Sequence, residues 1–242
     1  MAREDRHLEW RGCFNARDLG GIPTGDGRLT QCGAIVRSDS LATLEDQGWS
    51  ELEAYGIRTI VDLRNDDEIT GDRSPRPGSV ETLHIPLDVV EDREFWDVWE
   101  SGPQFATPLY YRPHLERFPE RSAAVVGAIA RAKPGGVAFH CVGGRDRAGQ
   151  VAMLVLALVG VEPPEIAHDH DMSAERLRVL YLARGEENQG PLLEDFLRGR
   201  GTSAGEVIIE TLAALDVEAA LLSAGLEPDD ISALRDRLTP PR

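Results

Sequence analysis

Hydrophobic and polar positions divide the first 160 residues into two alternating kinds of segment. Short apolar runs rich in β-branched residues are typical of buried strands, and apolar positions at helical spacing indicate helices. The strands are predicted at 33–41, 56–64, 80–87 and 136–140. The helices between and after them are predicted at 43–56, 119–131 and 147–159. Strands that alternate with helices predict an α/β fold in which helices flank a central, mostly parallel sheet.

The pattern changes after Glu162, where helical segments follow one another without a strand. They are predicted at 163–184, 190–198, 203–215, 216–224 and 227–238. We expect these helices to pack on the sheet, so that residues 1–242 form a single domain with a core at 1–160 and a helical part at 161–242.

Two stretches lack a clear pattern. Residues 65–79 are dense in Asp, Gly and Pro and are predicted to form a loop. Residues 91–100 could form a short helix, and 101–113 are predicted to be a loop with exposed aromatic residues. The aromatic residues of this region are Trp96, Trp99, Tyr110 and Tyr111. They either line a substrate wall or pack internally, and we favour internal packing.

Charge and cysteine content narrow the class of protein. The net charge of −16, from 42 acidic and 26 basic residues, repels nucleic acid and anionic membranes, so neither is a predicted partner. The start of the chain has no signal-like apolar region, and the apolar stretch at 151–161 is too short to span a membrane. The three cysteines are far apart, which argues against disulfides and a zinc site. We therefore expect a cytoplasmic protein.

The segment at 168–171 reads HDHD and could suggest a metal site. His168 and His170 are two residues apart and do not share a helix face, so a solvated helix is the favoured interpretation and no metal is predicted.

Residues 140–149, HCVGGRDRAG, combine a strand end, two glycines and a helix start. Free backbone N–H groups and the helix dipole favour an anion at such a turn. Gly143 and Gly144 would let the backbone curl around it, and the planar fork of Arg147 could grip two phosphate oxygens. The same surroundings favour the thiolate of Cys141, which is a nucleophile suited to phosphoryl transfer.

The spacing from Cys141 to Arg147, C-x5-R after a histidine, resembles the signature of the cysteine-dependent protein-tyrosine phosphatase superfamily. Further segments are similar to a bacterial tyrosine and dual-specificity branch, with members able to act on lipids, whose loop reads HC-x-x-G-K-D-R-T-G. Those segments are NARDLGG (15–21), IVRSDSL (35–41), IVDLRNDDE (60–68) and the C-terminal VEAALLSAGLEPDDISALRDRL. The resemblance covers nearly the whole chain and implies a tyrosine-phosphatase-like fold.

The resemblance implies a phosphocysteine intermediate on Cys141, with Arg147 stabilising the transition state and no metal or cofactor. The loop residues expected to bind the phosphate are Val142, Gly143, Gly144 and Arg145. His140 is expected to hydrogen-bond the loop in a supporting role. Asp146 occupies the position of an aspartate proposed as general acid in this branch, but it could instead pair with Arg145.

Asp88 is the competing candidate for the general acid, because related enzymes bring an acid in on a separate loop.

Two residues depart from the branch pattern. Arg145 replaces a lysine and would favour a multiply anionic head group. Ala148 replaces a Ser or Thr whose hydroxyl helps the thiolate to leave the phosphoenzyme, so we expect phosphocysteine to accumulate.

Several other polar residues either approach the site or only tie loops together. They are Asn15, Arg17, Asp18, Arg37, Ser38 and Asp39. Arg64 could approach the phosphate-binding loop or form a salt bridge with Glu68, and the salt bridge is favoured. Cys13 and Cys32 are predicted to be small buried hydrophobic residues.

Phosphotyrosine on proteins is the favoured substrate. The alternatives are a phosphoinositide and a small nucleotide or sugar phosphate, since a fold does not fix a substrate. Two other classes stay open: a rhodanese-type sulfurtransferase, and a silent phosphate-binding module suggested by Ala148. The oligomeric state is not predicted.

Overall fold

A computed structural model describes residues 6–72 and 74–240. The first five residues, which belong to the N-terminal stretch where no signal-like apolar region was found, lie outside the described residues. A five-stranded sheet with the order β1-β2-β5-β3-β4 forms its centre. The strands are β1 Arg17–Asp18, β2 Ile35–Ser38, β3 Ile57–Asp62, β4 Glu81–His84 and β5 Gly136–His140. Only the short edge strand β1, which the sequence pattern did not predict, is antiparallel to its neighbour among the described residues. The predicted α/β fold with a mostly parallel sheet is confirmed.

Helices cover the sheet and continue to the end of the described chain. The first six are α1 Asp46–Tyr55, α2 Asp66–Ile69, α3 Arg93–Trp99, α4 Tyr111–Arg117, α5 Pro119–Arg131 and α6 Asp146–Leu158. The next six are α7 Pro163–Asp171, α8 Ser173–Arg184, α9 Gly190–Arg198, α10 Ala204–Ala214, α11 Val217–Ser223 and α12 Pro228–Leu238. Within the ranges 6–72 and 74–240, no helix is both long and apolar enough to cross a membrane.

Three predicted segments differ from the structure. The helix predicted from Thr43 begins at Asp46, because 41–43 form a 3-10 turn capped by the hydroxyl of Ser40. The helix predicted at 163–184 is two helices that meet at Met172. The loop predicted at 65–79 contains α2, at whose start the carboxylate of Glu68 accepts a hydrogen bond from the backbone amide of Asn65 at 2.7 Å.

The central strands β2, β3 and β5 are buried on both faces apart from Arg58, which explains their largely apolar sequences, whereas the edge strand β4 is mostly exposed. Val137 and Phe139 of β5 belong to the cluster on the side of α5 and α6, while Ala138 belongs to the cluster with Trp49 and Leu52 of α1. Alternate residues of one strand therefore complete two separate hydrophobic clusters.

The C-terminal helices share the larger of these two clusters. Leu221 of α11 and Leu234 and Leu238 of α12 are buried in it together with side chains of α5 and α6. This packing agrees with the expectation of one domain, which stays a prediction.

The aromatic residues at 101–113 are mostly not exposed, so that prediction is wrong for Tyr110 and Tyr111, which are buried. Their ring centroids lie 5.2 Å apart, and Tyr110 also packs edge-on against His114. Trp96 lies in the same cluster, 6.2 Å from Tyr110, as the favoured packing interpretation expected. Phe105 is the partly exposed member, at 42%.

Candidate active site

The loop 141–145 joins β5 to α6 at the C-terminal edge of the sheet, as the sequence predicted. Ser38 at the end of β2 and Asp62 at the end of β3 both pair with His140 in register, so the three strands stop together. Cys141 is the next residue and is 3% exposed. Carboxyl ends of adjacent parallel strands are where α/β proteins gather functional side chains.

Gly144 lies directly against the chain at the end of β2. Its φ is +70°, and a Cβ there would lie 2.5 Å from the backbone nitrogen of Asp39. A Cβ on Gly143 would meet only Cδ2 of Leu177, at an ordinary 3.5 Å. For Gly144 the structure shows a close approach between two backbone segments, and the approach of both glycines to an anion stays a prediction.

Arg147, in the first turn of α6, is held by a carboxylate from a neighbouring segment. Its Nη2 donates to Oε1 of Glu68 at 2.6 Å, and its Nη1 contacts the other oxygen of the same carboxylate. Burial opposes the charge, but Glu68 and the nearby Cys141 raise the pKa of Arg147. The side chain lines a cavity of about 580 Å³ together with Glu68 and Asp88. A fixed cation thus faces this cavity, and the nearby Cys141 is not among the residues that line it.

Asp88 lies in the wall of the same cavity and is 8% exposed. Its Oδ2 is 3.5 Å from Nη1 of Arg147, while its Oδ1 has no hydrogen-bond partner and lies 3.8 Å from Nε2 of His114. Burial raises the pKa of Asp88 to about 6, although Arg147 opposes the shift. A carboxyl group in this state can carry a proton close to neutral pH.

Asp146 and Arg145 pair with each other, as one of the sequence interpretations proposed. Nε of Arg145 donates to Oδ1 of Asp146 at 3.0 Å. Arg145 lines a different pocket, of about 280 Å³, with apolar neighbours that include Leu177 and Leu193. Arg145 and Arg147, the two arginines of the RDR sequence, therefore line separate cavities.

His140 is fully buried beneath the loop. Its Nδ1 is 3.2 Å from the carbonyl oxygen of Cys141, and its Nε2 is 3.6 Å from Oδ2 of Asp62. Burial lowers the pKa of His140 to about 4, although Asp62 opposes the shift, so the ring is neutral at physiological pH. The contact fits the supporting role expected from the sequence.

Two of the polar residues that were expected either to approach the site or only to tie loops together contact the loop directly. Asn15 Nδ2 donates to the carbonyl of Gly143 at 3.0 Å, and Arg37 Nη2 donates to the carbonyl of Gly144 at 2.8 Å. Asp39 accepts from the backbone amides of Phe14 and Asn15 and so positions that segment.

Asp18 and Arg17 make their contacts away from the loop backbone. Asp18 accepts from the amides of Gly20 and Gly33. Arg17 donates to Asp169 and to Oδ1 of Asn15, while Ser38 Oγ is buried without a hydrogen-bond partner.

Three predictions about single residues are wrong. Arg64 bonds Asp62 and Asp72, because Glu68 is already bound to Arg147 and to the amide of Asn65. Cys32 is exposed.

The HDHD helix is the third of these predictions, since it is not simply solvated. Asp169 and His170 are buried, and Asp169 binds three arginines. Across the described ranges, no group of three or more metal-ligating side chains is placed to hold an ion.

Glu68, Tyr111 and Asp169 contribute to this site through contacts that the sequence did not predict. Glu68 had a local signal, since Asn65 and Glu68 have the spacing of a capping box directly after a strand end. Tyr111 and Asp169 had none, because nothing in a single sequence indicates which distant side chain meets a loop carbonyl.

Comparison with known proteins gives this geometry a family. The tyrosine phosphatase family model matches residues 8–240. A tyrosine-protein phosphatase of Nostoc commune is 32% identical over 146 residues, which cover 60% of this chain and 49% of that protein. The triple specificity protein phosphatase PtpB of Mycobacterium tuberculosis is 28% identical over 191 residues, 67% of each chain.

Among solved structures, TpbA of P. aeruginosa in complex with phosphotyrosine matches 80% of this chain and 86% of that one, at 18% identity and a TM-score of 0.33. The chain spans between about half and two thirds of the length of the curated relatives it matches. The match over residues 8–240, with Cys141 and Arg147 in their loop, makes the chain a member of the tyrosine phosphatase family.

Proposed function

We propose that this protein hydrolyses phosphomonoesters through a phosphocysteine intermediate and that phosphotyrosine in proteins is its substrate. The observation that carries the proposal is the position of Cys141, at the first residue of a strand–loop–helix turn with Arg147 in the first turn of the helix. Membership of the tyrosine phosphatase family supports the same chemistry.

The proposed reaction has two displacement steps. The thiolate of Cys141 attacks phosphorus, the bond from phosphorus to the ester oxygen breaks, and that oxygen takes a proton from a carboxylic acid. A water molecule then attacks phosphorus and gives its proton to the resulting carboxylate. The S–P bond breaks, which releases inorganic phosphate and restores the thiolate. Arg147 and the amides of Val142, Gly143, Gly144 and Arg145 stabilise the charge on the transferring group.

We assign the acid role to Asp88 rather than to Asp146. The carboxylate of Asp146 is paired with Arg145, and Asp146 is not among the residues that line the cavity of Arg147. Asp88 lies in the cavity of Arg147, and burial raises its pKa to about 6, so a large share of it carries a proton at pH 6. An efficient general acid has a pKa near the operating pH.

The wall of the cavity bears on the substrate. Three arginines and six acidic residues line it. The acidic residues are Asp66, Asp67, Glu68, Asp88, Glu91 and Glu100. Such a wall repels a head group that carries several phosphates and favours a single phosphate on a peptide with basic neighbours. The relatives' names, tyrosine-protein phosphatase and triple specificity protein phosphatase, support protein substrates as well.

A substrate panel with EDTA present tests the proposal. We expect release of phosphate from phosphotyrosine peptides, slower release from a phosphoinositide or a nucleotide, and no release by Cys141→Ser. Activity that EDTA removes, or that survives in Cys141→Ser, would refute the mechanism. Binding of a phosphotyrosine peptide without any turnover would instead favour the silent phosphate-binding module that Ala148 suggests.

We also propose a cytoplasmic location. Its support is that Cys13, Cys32 and Cys141 are all free thiols, as in proteins of a reducing compartment. Fractionation of cells that express the full-length protein, with marker enzymes for each compartment, tests the location.

A further inference from the structure

The backbone carbonyls that follow Cys141, from Val142 to Asp146 at the start of α6, accept hydrogen bonds from donors in other segments. Ser40 N donates to the carbonyl of Val142 at 3.1 Å, and Asn15 Nδ2 donates to that of Gly143 at 3.0 Å. Arg37 Nη2 donates to the carbonyls of Gly144 and Arg145, at 2.8 and 3.2 Å. Tyr111 Oη donates to the carbonyls of Arg145 and Asp146, at 3.3 and 2.9 Å. Five successive carbonyls thus have a donor outside the loop.

This arrangement decides where the loop amides point. In a trans peptide group the C=O of one residue and the N–H of the next lie on opposite sides. A carbonyl held outward therefore turns the N–H of the following residue inward. A carbonyl that rotated inward would repel a phosphate and the thiolate, and it would remove one donor from the cradle.

We propose that Asn15, Arg37 and Tyr111 are positioning residues that fix the loop in its phosphate-binding form. This inference rests on the proposed function and adds to it the side chains that keep the cradle preorganised. None of the three needs to touch the phosphate, since each acts through a loop carbonyl.

Arg37 is itself held rigidly. It is 1% exposed, and its Nη1 donates to Oδ2 of Asp169 at 2.7 Å. Arg17 and Arg6 also donate to this carboxylate. Burial acts against ionisation of Asp169, yet Arg17, Arg37 and Arg6 keep its pKa well below the usual range. The guanidinium of Arg37 therefore reaches the loop from a fixed anchor.

Gly149 makes room for the same contacts. A Cβ at this position would lie 2.4 Å from Oη of Tyr111 and 3.3 Å from Nη2 of Arg37. A glycine inside a helix costs roughly 1 kcal/mol relative to alanine. The bare helix surface at Gly149 thus lets both side chains reach the loop.

Five single variants test the proposal. Tyr111→Phe and Arg37→Gln remove donors to the loop. Tyr110→Phe changes the adjacent buried tyrosine, and Arg6→Gln removes a different arginine from Asp169; no hydrogen bond joins Tyr110 or Arg6 to the loop carbonyls. The readouts are the affinity for inorganic phosphate by calorimetry and the pH dependence of Cys141 alkylation by iodoacetamide, with the fold checked by circular dichroism.

We expect Tyr111→Phe to weaken phosphate binding about fivefold, the size of one lost hydrogen bond, and Arg37→Gln to weaken it at least about tenfold. Both variants should move the alkylation midpoint to higher pH. Both controls should stay within about twofold of the wild type, even where their thermal stability falls. Gly149→Ala should resemble Tyr111→Phe.

Wild-type affinity and an unchanged alkylation profile in Tyr111→Phe would overturn the proposal. That variant removes one oxygen atom, so it keeps the test decisive even when Arg37→Gln does not fold. Neither readout needs turnover. If the wild-type protein hydrolyses no ester while the variants still show the expected changes in phosphate affinity and alkylation, the proposed function is refuted and the positioning role stays supported.

Discussion

Two buried aspartates on opposite sides of the loop have opposite electrostatic surroundings. Asp169, behind the loop, binds the guanidinium groups of three arginines, and its pKa is well below the usual range. Asp88, in the cavity, has one oxygen without a partner, and burial raises its pKa to about 6. Both side chains are nearly inaccessible to solvent. Burial therefore does not decide the role of a carboxylate; the number of its partners does.

The difference separates a structural charge from a chemical one. Every strong partner of Asp169 belongs to the fold, so its charge is permanent and holds Arg37 in place. Asp88 keeps proton-donating capacity that the fold does not use. Replacing each by asparagine, which has nearly the same shape, should accordingly affect the protein in opposite directions.

The largest effect is expected from Asp169→Asn, which leaves three buried arginines without their counter-charge. Removal of one partner from a buried ion pair costs about 3–5 kcal/mol. We expect a loss of this size in the free energy of unfolding at pH 7, measured with urea. Asp171→Asn, at an exposed position of the same helix, is the control. A loss below about 1 kcal/mol would show that the arginines have other compensation.

Asp88→Asn should increase stability at pH 8. The pKa of Asp88 is raised to about 6 from 3.8, so the folded state binds its proton more tightly and stability falls as the pH rises through this window. A shift of this size corresponds to about 3 kcal/mol as an upper bound. The gain in the variant should vanish below about pH 4. Glu91→Gln in the same cavity should change the unfolding free energy by less than about 0.5 kcal/mol. A variant less stable than the wild type at pH 8 contradicts the assignment.

The same Asp88→Asn variant should lose about a hundredfold in kcat on phosphotyrosine, because general acid catalysis contributes at least that much. The loss should shrink on p-nitrophenyl phosphate, whose leaving group needs no proton. The wild-type rate on phosphotyrosine should fall above about pH 6 as Asp88 ionises, and the variant should lack this limb. The opposite pattern, with Asp146→Asn more damaging and Asp88→Asn mild, assigns the acid role to Asp146.

The smallest effect is expected at Ala148, a buried residue directly after Arg147. Without a hydroxyl to assist the departing thiolate, phosphocysteine should accumulate and give a stoichiometric burst of leaving group. Ala148→Ser should reduce the burst and raise the steady-state rate about fivefold, the value of one hydrogen bond. Rapid-quench kinetics measures both. A wild type without a burst, and no gain from serine, would remove this hypothesis.

Sequence patterns located the parts of this protein whose information is local. β5 and α5 have the predicted boundaries, and α6 begins one residue from its prediction. The Cys141 to Arg147 spacing lies within one loop and one helical turn, so it could be read directly. The errors concern pairings at a distance. Arg64 was predicted to pair with Glu68, whereas the carboxylate of Glu68 binds Arg147, far along the chain.

The order of apolar and polar residues by itself determined the strands and helices of this chain, its mostly parallel sheet, and the turn that carries Cys141. Only the tertiary structure decided that Glu68 holds Arg147, that Asp169 anchors Arg37, and that Asp88 rather than Asp146 sits without a strong partner. The physical reason is that periodicity and turn chemistry act between near neighbours in sequence. Burial and charge pairing depend on which distant segments the fold brings into contact.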